Sequence, residues 1–456
     1  MLPKRASRLT ISRTVCLGFI AVITIGTLLL MMPFSTSDDT WGDFIVALFT
    51  STSAVCVTGL AVVDTGTHFS FWGQLIIVLL VQVGGLGYMT TTTLLMLLLG
   101  RRFDLQQKFA IRESFDRPLL QGSQNLVRSI IATTLIFEIA GIFCLTYSFS
   151  DRHNLAESLW LAIFHSVSAW NNAGFSLFKD NLMSYENSWS VNLVIPGLII
   201  LGGIGYQVII ELYLWLRFCL NQKNHHKRFS FSLNFKVVFS TTCFLLIFGT
   251  IAFLITEFKN PNTLGNLSFT DKVLGAWFQS VTTRTAGFNT IDNGKMDISA
   301  LLITMGLMFI GASPSGTGGG IKTTTLRILM NCTRSVLRGK EEVIVYRRKI
   351  PVPLLLKAVA VVFGSAMTVI LATMLISFIE LESELNLIQI LFEVISAFAT
   401  VGLSMGITAS LSPLSLLILV LTMYTGRVGV ILLMAAIIGD PRPSAIEHPE
   451  ENLLVG

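Results

Sequence analysis

The eleven residues Phe278–Phe288, FQSVTTRTAGF, decide how the rest of this chain is read. Related stretches occur at Phe49–Leu60 (FTSTSAVCVTGL), Phe164–Phe175 (FHSVSAWNNAGF) and Phe392–Leu403 (FEVISAFATVGL). Each opens on Phe, runs through small and hydroxyl residues, and closes on one glycine: Gly59, Gly174, Gly287 and Gly402. These glycines lie 115, 113 and 115 residues apart, and the third copy is one residue shorter between its Phe and its Gly. A glycine capping a helix C-terminus explains any single copy equally well. Four copies at one period instead mark four copies of one structural module. Glycine reaches backbone conformations closed to other residues and adds no side chain. Four such loops meeting at an axis can turn backbone carbonyls towards a desolvated cation.

Composition sets the surroundings of these loops. The chain has 456 residues, of which 52% are hydrophobic and only 13% charged. That balance belongs to a polytopic membrane protein and leaves no room for a sizeable soluble domain. The six cysteines are scattered, with neither metal-type spacing nor a disulfide framework. No nucleotide or metal site of the kind a membrane enzyme or ATP-driven pump needs is visible, so the chain does not read as an enzyme.

Lys4, Arg5, Arg8 and Arg13 precede an apolar run from about Thr14 to Pro33. The run is long for a secretory signal and lacks a cleavage site, so it reads as a retained span with a cytoplasmic N-terminus. Trp41–Ala54 follows, too short to cross a bilayer and suited to a re-entrant half helix. A long span from about Phe71 to Leu99 then ends at Arg101 and Arg102. The same span, half helix, loop and span recur. The later spans are about Leu126–Phe149, Ser190–Leu216, Phe235–Thr256, Ile298–Met330, Leu354–Phe378 and Leu414–Ile438. Their half helices are Leu155–Trp170, Val273–Thr283 and Leu385–Ala399. The expected fold is all-α, with eight transmembrane helices and four re-entrant half helices around one central pore. Its four units are residues 1–122, 123–230, 231–350 and 351–456.

Charge agrees with this topology. The inferred outside loops hold five Lys/Arg (Arg152, Lys179, Lys259, Lys272 and Lys295), the inside segments 25, and Arg284 and Arg427 lie deeper. The outer side also carries 15 of the 27 acidic residues, enough either to solvate short loops or to attract cations to a vestibule. Each half helix points its C-terminal end inward, so its negative dipole end favours a cation there. The hydroxyls of Thr52, Ser53, Ser168, Thr282, Thr283 and Ser396 either bond the loops or pack small in a helix interface, and packing is the simpler account of any one.

With these features the chain resembles the Trk/Ktr/HKT superfamily of potassium transporters, and most of all the Ktr-type membrane subunit. The resemblance rests on the four loops, TTRTAGF at Thr282–Phe288, GASPSGTGGGIKTTT at Gly311–Thr325, and TGRVG at Thr425–Gly429. It implies potassium uptake across the plasma membrane, often sodium-dependent, by a homodimer. It also implies a cytosolic ring of nucleotide-binding RCK (regulator of potassium conductance) subunits, so any nucleotide would sit on the partner. Nucleic acid is not among the implied partners. The family's filter roles fall on Val57, Thr58 and Gly59; Asn172, Ala173 and Gly174; Thr285, Ala286 and Gly287; and Thr400, Val401 and Gly402. A serine at the first glycine is associated with sodium preference in the family, and this chain keeps Gly59. An alternating-access secondary cation transporter, coupled to sodium or protons, is the competing reading, because broken helices fit both.

Gly311–Lys322 interrupts what would otherwise be one long span. Gly311, Ser313, Ser315, Gly316, Gly318, Gly319 and Gly320 are small, and Pro314 breaks a helix. Irregular backbone at membrane depth must be buried or line water. The resemblance makes this stretch an intramembrane gate loop, expected to be flexible, with Lys322 at its end. GTGGGIKT at Gly316–Thr323 departs from a phosphate-binding loop at Ile321 and follows no strand. Arg427, midway along the last span, is expected beside the gate as a fixed positive charge. Glu138, Glu211 and Glu393 also fall in membrane elements, and Arg284, in the third loop, either holds filter backbone or pairs with a carboxylate such as Glu393. The glycines of VGGLGY (Gly84, Gly85, Gly87) and LGGIGY (Gly202, Gly203, Gly205) read as close-packing positions within continuous spans. Two basic stretches, His225–Arg228 and the run holding Arg334, Arg338, Lys340, Arg347, Arg348 and Lys349, face the cytoplasm, where they suit anionic membrane lipids or the implied ring.

Overall fold

The structure is a computed structural model that describes residues 10–87, 123–220 and 229–439. The sequence expectations for Lys4, Arg5, Arg8, Arg101, Arg102, His225–Arg228 and the C-terminal tail lie outside the described residues.

The chain is built from apolar helices. Helices α1 (Ile11–Met31), α2 (Phe44–Val55) and α3 (Phe71–Leu86) come first. Next are α4 (Ser123–Phe149), α5 (Leu155–Trp170), α6 (Trp189–Gly203) and α7 (Tyr206–Leu220). Then follow α8 (Leu233–Glu257), α9 (Phe269–Thr282), α10 (Ile298–Phe309) and α11 (Thr323–Val336). The last are α12 (Val352–Ile379), α13 (Leu387–Ala399), α14 (Pro413–Val428) and α15 (Val430–Ile438). Among the described residues four helices are long and apolar enough to cross a membrane, one each within α1, α4, α8 and α12; two bent pairs bring the number to six.

The starts of the short helices are set by capping. Asp43 accepts from the backbone N–H groups of Ile45 and Val46, so α2 begins at Phe44 rather than Trp41. Ser268 accepts from the N–H of Asp271 and carries α9 back to Phe269, four residues before the expected Val273. Helix α5 spans the residues expected from the sequence.

Two expectations need correction. The protein is not all-α: Ile344–Val345 and Arg348–Lys349 pair as a two-stranded antiparallel hairpin, β1 and β2. Its two turn residues, Tyr346 and Arg347, have φ of 48° and 62°, the conformation a two-residue hairpin turn demands. Val343, Val345 and Ile350 bury against Val237 of α8, Ile328 and Cys332 of α11 and Leu355 of α12. The second correction concerns the spans expected at Ser190–Leu216 and Leu414–Ile438, which are not straight. Helices α6 and α7 meet at 103°, and α14 and α15 at 97°. Gly205 (φ 94°) and Gly429 (φ 90°) hold the two breaks, and Gly87 (φ 76°) ends α3 in the same way.

Packing closes on itself. Helix α2 lies against α1 and α3, α5 against α4 and α6, α9 against α8, and α13 against α12 and α14. Each short helix also touches the second helix of the preceding unit: α5 meets α3, α9 meets α6, α13 meets α10, and α2 meets α14. These contacts run round in a circle, so the C-terminal ends of α2, α5, α9 and α13 are brought to one place.

Candidate functional site

The loops that follow these four helices share one backbone course. The first residue of each proposed triad is left-handed: Val57 at φ 51°, Asn172 at 57°, Thr285 at 64° and Thr400 at 53°. The closing glycines follow at 89°, 71°, 77° and 93°. Val and Thr are branched at Cβ and avoid this region, so three of the four loops hold a strained residue that their surroundings must enforce. The enforcement is visible. The N–H of Thr58 bonds Ser53 O at 2.7 Å, that of Ala173 bonds Ser168 O at 2.8 Å, that of Ala286 bonds Thr282 O at 3.0 Å, and that of Val401 bonds Ser396 O at 2.8 Å.

A hydroxyl reinforces every loop. Ser53 Oγ donates to Leu60 O at 2.8 Å and accepts from the Gly59 N–H at 3.0 Å. Ser168 Oγ donates to Phe175 O at 2.9 Å, and Thr282 Oγ1 to Phe288 O at 2.5 Å. Ser396 Oγ accepts from the Gly402 N–H at 3.1 Å. For these four residues, bonding to the loop rather than simple packing is what the hydroxyl does. Thr283 Oγ1 instead bonds Ser280 O within its own turn, and Thr52 Oγ1 has no partner among the described residues.

The four glycines converge. A Cβ on Gly174 would lie 2.7 Å from Ala286 O, and one on Gly287 would lie 2.5 Å from Val401 O and 3.1 Å from Gly402 Cα. A Cβ on Gly402 would overlap Thr58 O, and one on Gly59 would overlap Ala173 O. The four loops thus touch in ring order, at a spacing only glycine allows. None of the twelve triad carbonyls accepts a hydrogen bond from a described residue. Ten of these twelve residues are buried, Gly59 and Gly402 being half-buried, and buried carbonyls are almost always paired in folded proteins, so such a ring without protein donors is unusual.

Residues 311–322 lie directly against this ring. The side chains of Thr285 and Thr400 leave no room for a Cβ on Gly318 or Gly319. Thr317 Oγ1 donates to Asn172 Oδ1 at 3.1 Å, and the Gly319 N–H donates to Thr400 Oγ1 at 2.9 Å. Contrary to expectation, the loop is held rather than loose. The N–H groups of Ser313 and Thr317 bond the carbonyls of Gly203 and Gly202 at 3.0 and 3.2 Å, and the Gly311 N–H bonds Ile321 O at 2.9 Å. These carbonyls are the ones helix α6 leaves unpaired at its C-terminus, so the break in α6 supplies the acceptors. Pro314 contributes its carbonyl as the floor beneath Gly205, where no Cβ would fit. Gly316 and Gly320 allow similarly close backbone approaches to Gly203 and Gly311.

Charged groups complete the arrangement. Arg427 reaches across the molecule and donates to Thr317 O in the loop and to Gly84 O at the end of α3. Lys322 Nζ folds back onto Gly318 O at 2.7 Å. Arg284 Nη2 donates to Gly311 O at 3.2 Å, so its partner is the start of the loop and not a carboxylate. Glu393 accepts instead from Thr408 Oγ1, Glu138 from Asn171 Nδ2 at 3.2 Å, and Glu211 from Ser232, whose Oγ and N–H lie at 2.7 and 3.0 Å.

Two sequence patterns carry more than was read from them above. A hydroxyl stands six residues before three of the ring glycines and five before the third, which foretells the bracing bonds. The motifs VGGLGY, LGGIGY and TGRVG share Gly-x-x-Gly spacing. Their first glycines, Gly84, Gly202 and Gly426, sit against the carbonyls of Val55, Trp170 and Phe398, where a Cβ would overlap. Of their last glycines, Gly205 and Gly429 hold the helix breaks and Gly87 caps the end of α3. Arg427 therefore occupies the place of Gly85 and Gly203.

Comparison with known proteins bears on this geometry. A family model described as a cation transport protein, TrkH, matches residues 10–445. The chain is 38% identical over 450 residues to the Ktr system potassium uptake protein B of Bacillus subtilis (strain 168), covering 98% of this chain and 97% of the relative. It is 37% identical over 446 residues to the protein of that name from Vibrio alginolyticus, covering 97% and 94%. It is 34% identical over 452 residues to the potassium/sodium uptake protein NtpJ of Enterococcus hirae, covering 98% of each. The fold is similar to the crystal structure of the potassium transporter TrkH from Vibrio parahaemolyticus, with a TM-score of 0.73 at 16% identity over 96% of this chain and 86% of the other.

Proposed function

The chain belongs to the TrkH family of cation transport proteins, and on that premise we propose that it is the potassium-translocating subunit of a Ktr-type uptake system. The observation that carries the proposal is the ring of twelve triad carbonyls without donors among the described residues, ten of them on buried residues, drawn together by four glycines. Backbone carbonyls replace the hydration shell of a cation whatever the side chains are, so loops of unlike sequence still form one filter. The three curated relatives described above are named for potassium uptake, and one of them for potassium and sodium.

In this reading the four units, 1–122, 123–230, 231–350 and 351–456, surround a single pore in the plasma membrane, with both termini cytoplasmic. Val57–Gly59, Asn172–Gly174, Thr285–Gly287 and Thr400–Gly402 are the filter. Residues 311–322 are the gate, lying across its inner mouth in a closed conformation, with Arg427 as both a clasp on Thr317 and a fixed positive charge below the filter. Opening requires exchange of the loop's bonds to Gly202, Gly203 and Thr400, a discrete rearrangement that a bound partner can bias. The partners are a second copy of the chain and a cytosolic nucleotide-binding ring, and sodium is a coupling or activating ion.

The deciding experiment is potassium uptake by a transport-deficient cell carrying this chain, measured with and without sodium and with and without the cytosolic subunit. Uptake that saturates with potassium and rises with both additions is expected. Failure to take up potassium in any of the four conditions, with the protein present in the membrane, sinks the reading.

A further inference from the structure

A cavity of about 20 Å³ lies between α6, α8 and the first residues of the gate loop, bordered by Ile199, Gly203, Thr242, Leu246, Arg284 and Ala312. Its two polar side chains, Arg284 and Thr242, are both more than nine-tenths buried, at 7% and 6% exposure. Arg284 spends Nη2 on Gly311 O, while its Nη1 and the Thr242 Oγ1 have no hydrogen-bond partner among the described residues. No carboxylate pairs with Arg284 among the described residues; the ion pairs are elsewhere, and Glu393 is engaged by Thr408. The guanidinium has only donors, and a buried charge without a counter-charge is costly. The site therefore offers N–H and O–H donors, a net positive charge and room for little more than one atom. A water needs roughly 10–15 Å³ of such space, so a polyatomic oxyanion such as phosphate does not fit.

We propose that this cavity binds one monatomic anion of the halide class, chloride-sized, held by Arg284 Nη1 and the Thr242 hydroxyl. Arg284 directly precedes Thr285 of the third loop and holds Gly311 at the head of the gate loop. The anion neutralises a cation that would otherwise repel ions in the neighbouring ring, and it fixes the side chain that joins ring to loop. The inference rests on the cavity alone and is independent of which cation crosses the ring.

The test uses the purified full chain and needs no transport assay. Crystals grown in bromide are expected to show an anomalous peak within hydrogen-bond distance of Arg284 Nη1. The unfolding temperature is expected to rise saturably with chloride or bromide, against gluconate at equal ionic strength. Thr242→Val should raise the half-saturating halide concentration about tenfold, the loss expected for one hydrogen bond to a charged group. Well-diffracting wild-type crystals without anomalous density in the cavity would overturn the proposal, because the donors are then met by water. A halide effect of equal strength in a folded Thr242→Val protein, with no peak, also overturns it by placing the effect elsewhere. Should that variant fail to fold, the wild-type bromide map decides alone.

Discussion

Replacing Gly59 by serine tests the proposed filter at a position that has no room for a side chain. Gly59 has φ 89°, and a Cβ there would overlap Ala173 O and stand 2.9 Å from Gly174 Cα. A left-handed backbone costs a side-chain-bearing residue about 1–3 kcal/mol, and the overlap adds to that. The first loop cannot relax by letting go of its frame, since Ser53 holds both sides of it at Leu60 O and the Gly59 N–H. Relief must come from the ring itself, by movement of the Ala173 carbonyl and the second loop. Selectivity depends on how well carbonyls replace water around one ion against another, and each 1.4 kcal/mol of that balance is a factor of ten. Gly59→Ser is therefore expected to lower the preference for potassium over sodium by about tenfold or more, with most of the fold retained. The assay is competition between the two ions for initial uptake into vesicles containing the purified variant. An unchanged ratio in a well-folded protein would remove Gly59 from the filter and with it the ring interpretation.

Deletion of Gly316–Gly320 removes the bonds from Thr317 and Gly319 to Gly202 and Thr400, and is expected to raise the initial potassium uptake rate and weaken its dependence on the cytosolic subunit; wild-type values for both would make the loop a passive kink. Arg427→Ala breaks the clasp on Thr317 and Gly84 and should act in the same direction more weakly, with ion preference kept in both. Ser53→Ala strips two bonds from one loop and leaves buried backbone groups unpaired, so a loss of about 1–3 kcal/mol is expected in thermal or denaturant unfolding; no loss would show that the strained Val57 needs no such support. Burial pushes the Glu380 carboxyl up, but the bonds from the Ser412 and Ser415 hydroxyls and the Ser412 backbone N–H outweigh it and hold the group below its ordinary value of 4.5. A depressed carboxylate stabilises the fold above its unfolded pKa and loses that effect as pH falls through the folded one, so wild-type stability should drop below about pH 4.5 more steeply than that of Glu380→Gln, as read from unfolding temperature against pH.

What the sequence disclosed and what it hid follow from the range of the forces involved. Helix positions depend on apolar runs and local caps, so Leu155–Trp170 could be read residue for residue, while α2 and α9 shifted only by the reach of one capping side chain. The loops were legible because four copies of one pattern state the same local demand. The corrections arose where the deciding partner is far away in the chain. The hairpin at Ile344–Lys349 is two residues per strand and exists because Val237, more than a hundred residues earlier, offers a surface to bury against. For Arg284 the sequence leaves backbone and carboxylate both open; its observed partner is backbone, but the carbonyl is Gly311 O at the head of the loop 311–322 and not one of the filter triads, a choice among carbonyls that every residue carries and none advertises.

The broken helices carry this reasoning one step further. A helix that ends inside the molecule leaves carbonyls unpaired, and buried carbonyls require donors. At α6 the donors are the N–H groups of Ser313 and Thr317, and at α3 Arg427 joins the Gly87 N–H as a second donor to Gly84 O. The third unit lacks the Gly-x-x-Gly break and has the loop 311–322 in its place, and the fourth has arginine where the first two have Gly85 and Gly203. Two departures from the repeat thus meet at Thr317 O, and both satisfy backbone groups that the regular units expose. The asymmetry that sets the proposed gate loop apart is the same asymmetry that lets the breaks in its neighbours be buried. Displacing the loop breaks its bonds to Gly202 O and Gly203 O, so in the proposed gating role opening leaves α6 carbonyls that need new donors, for which water is the simplest source.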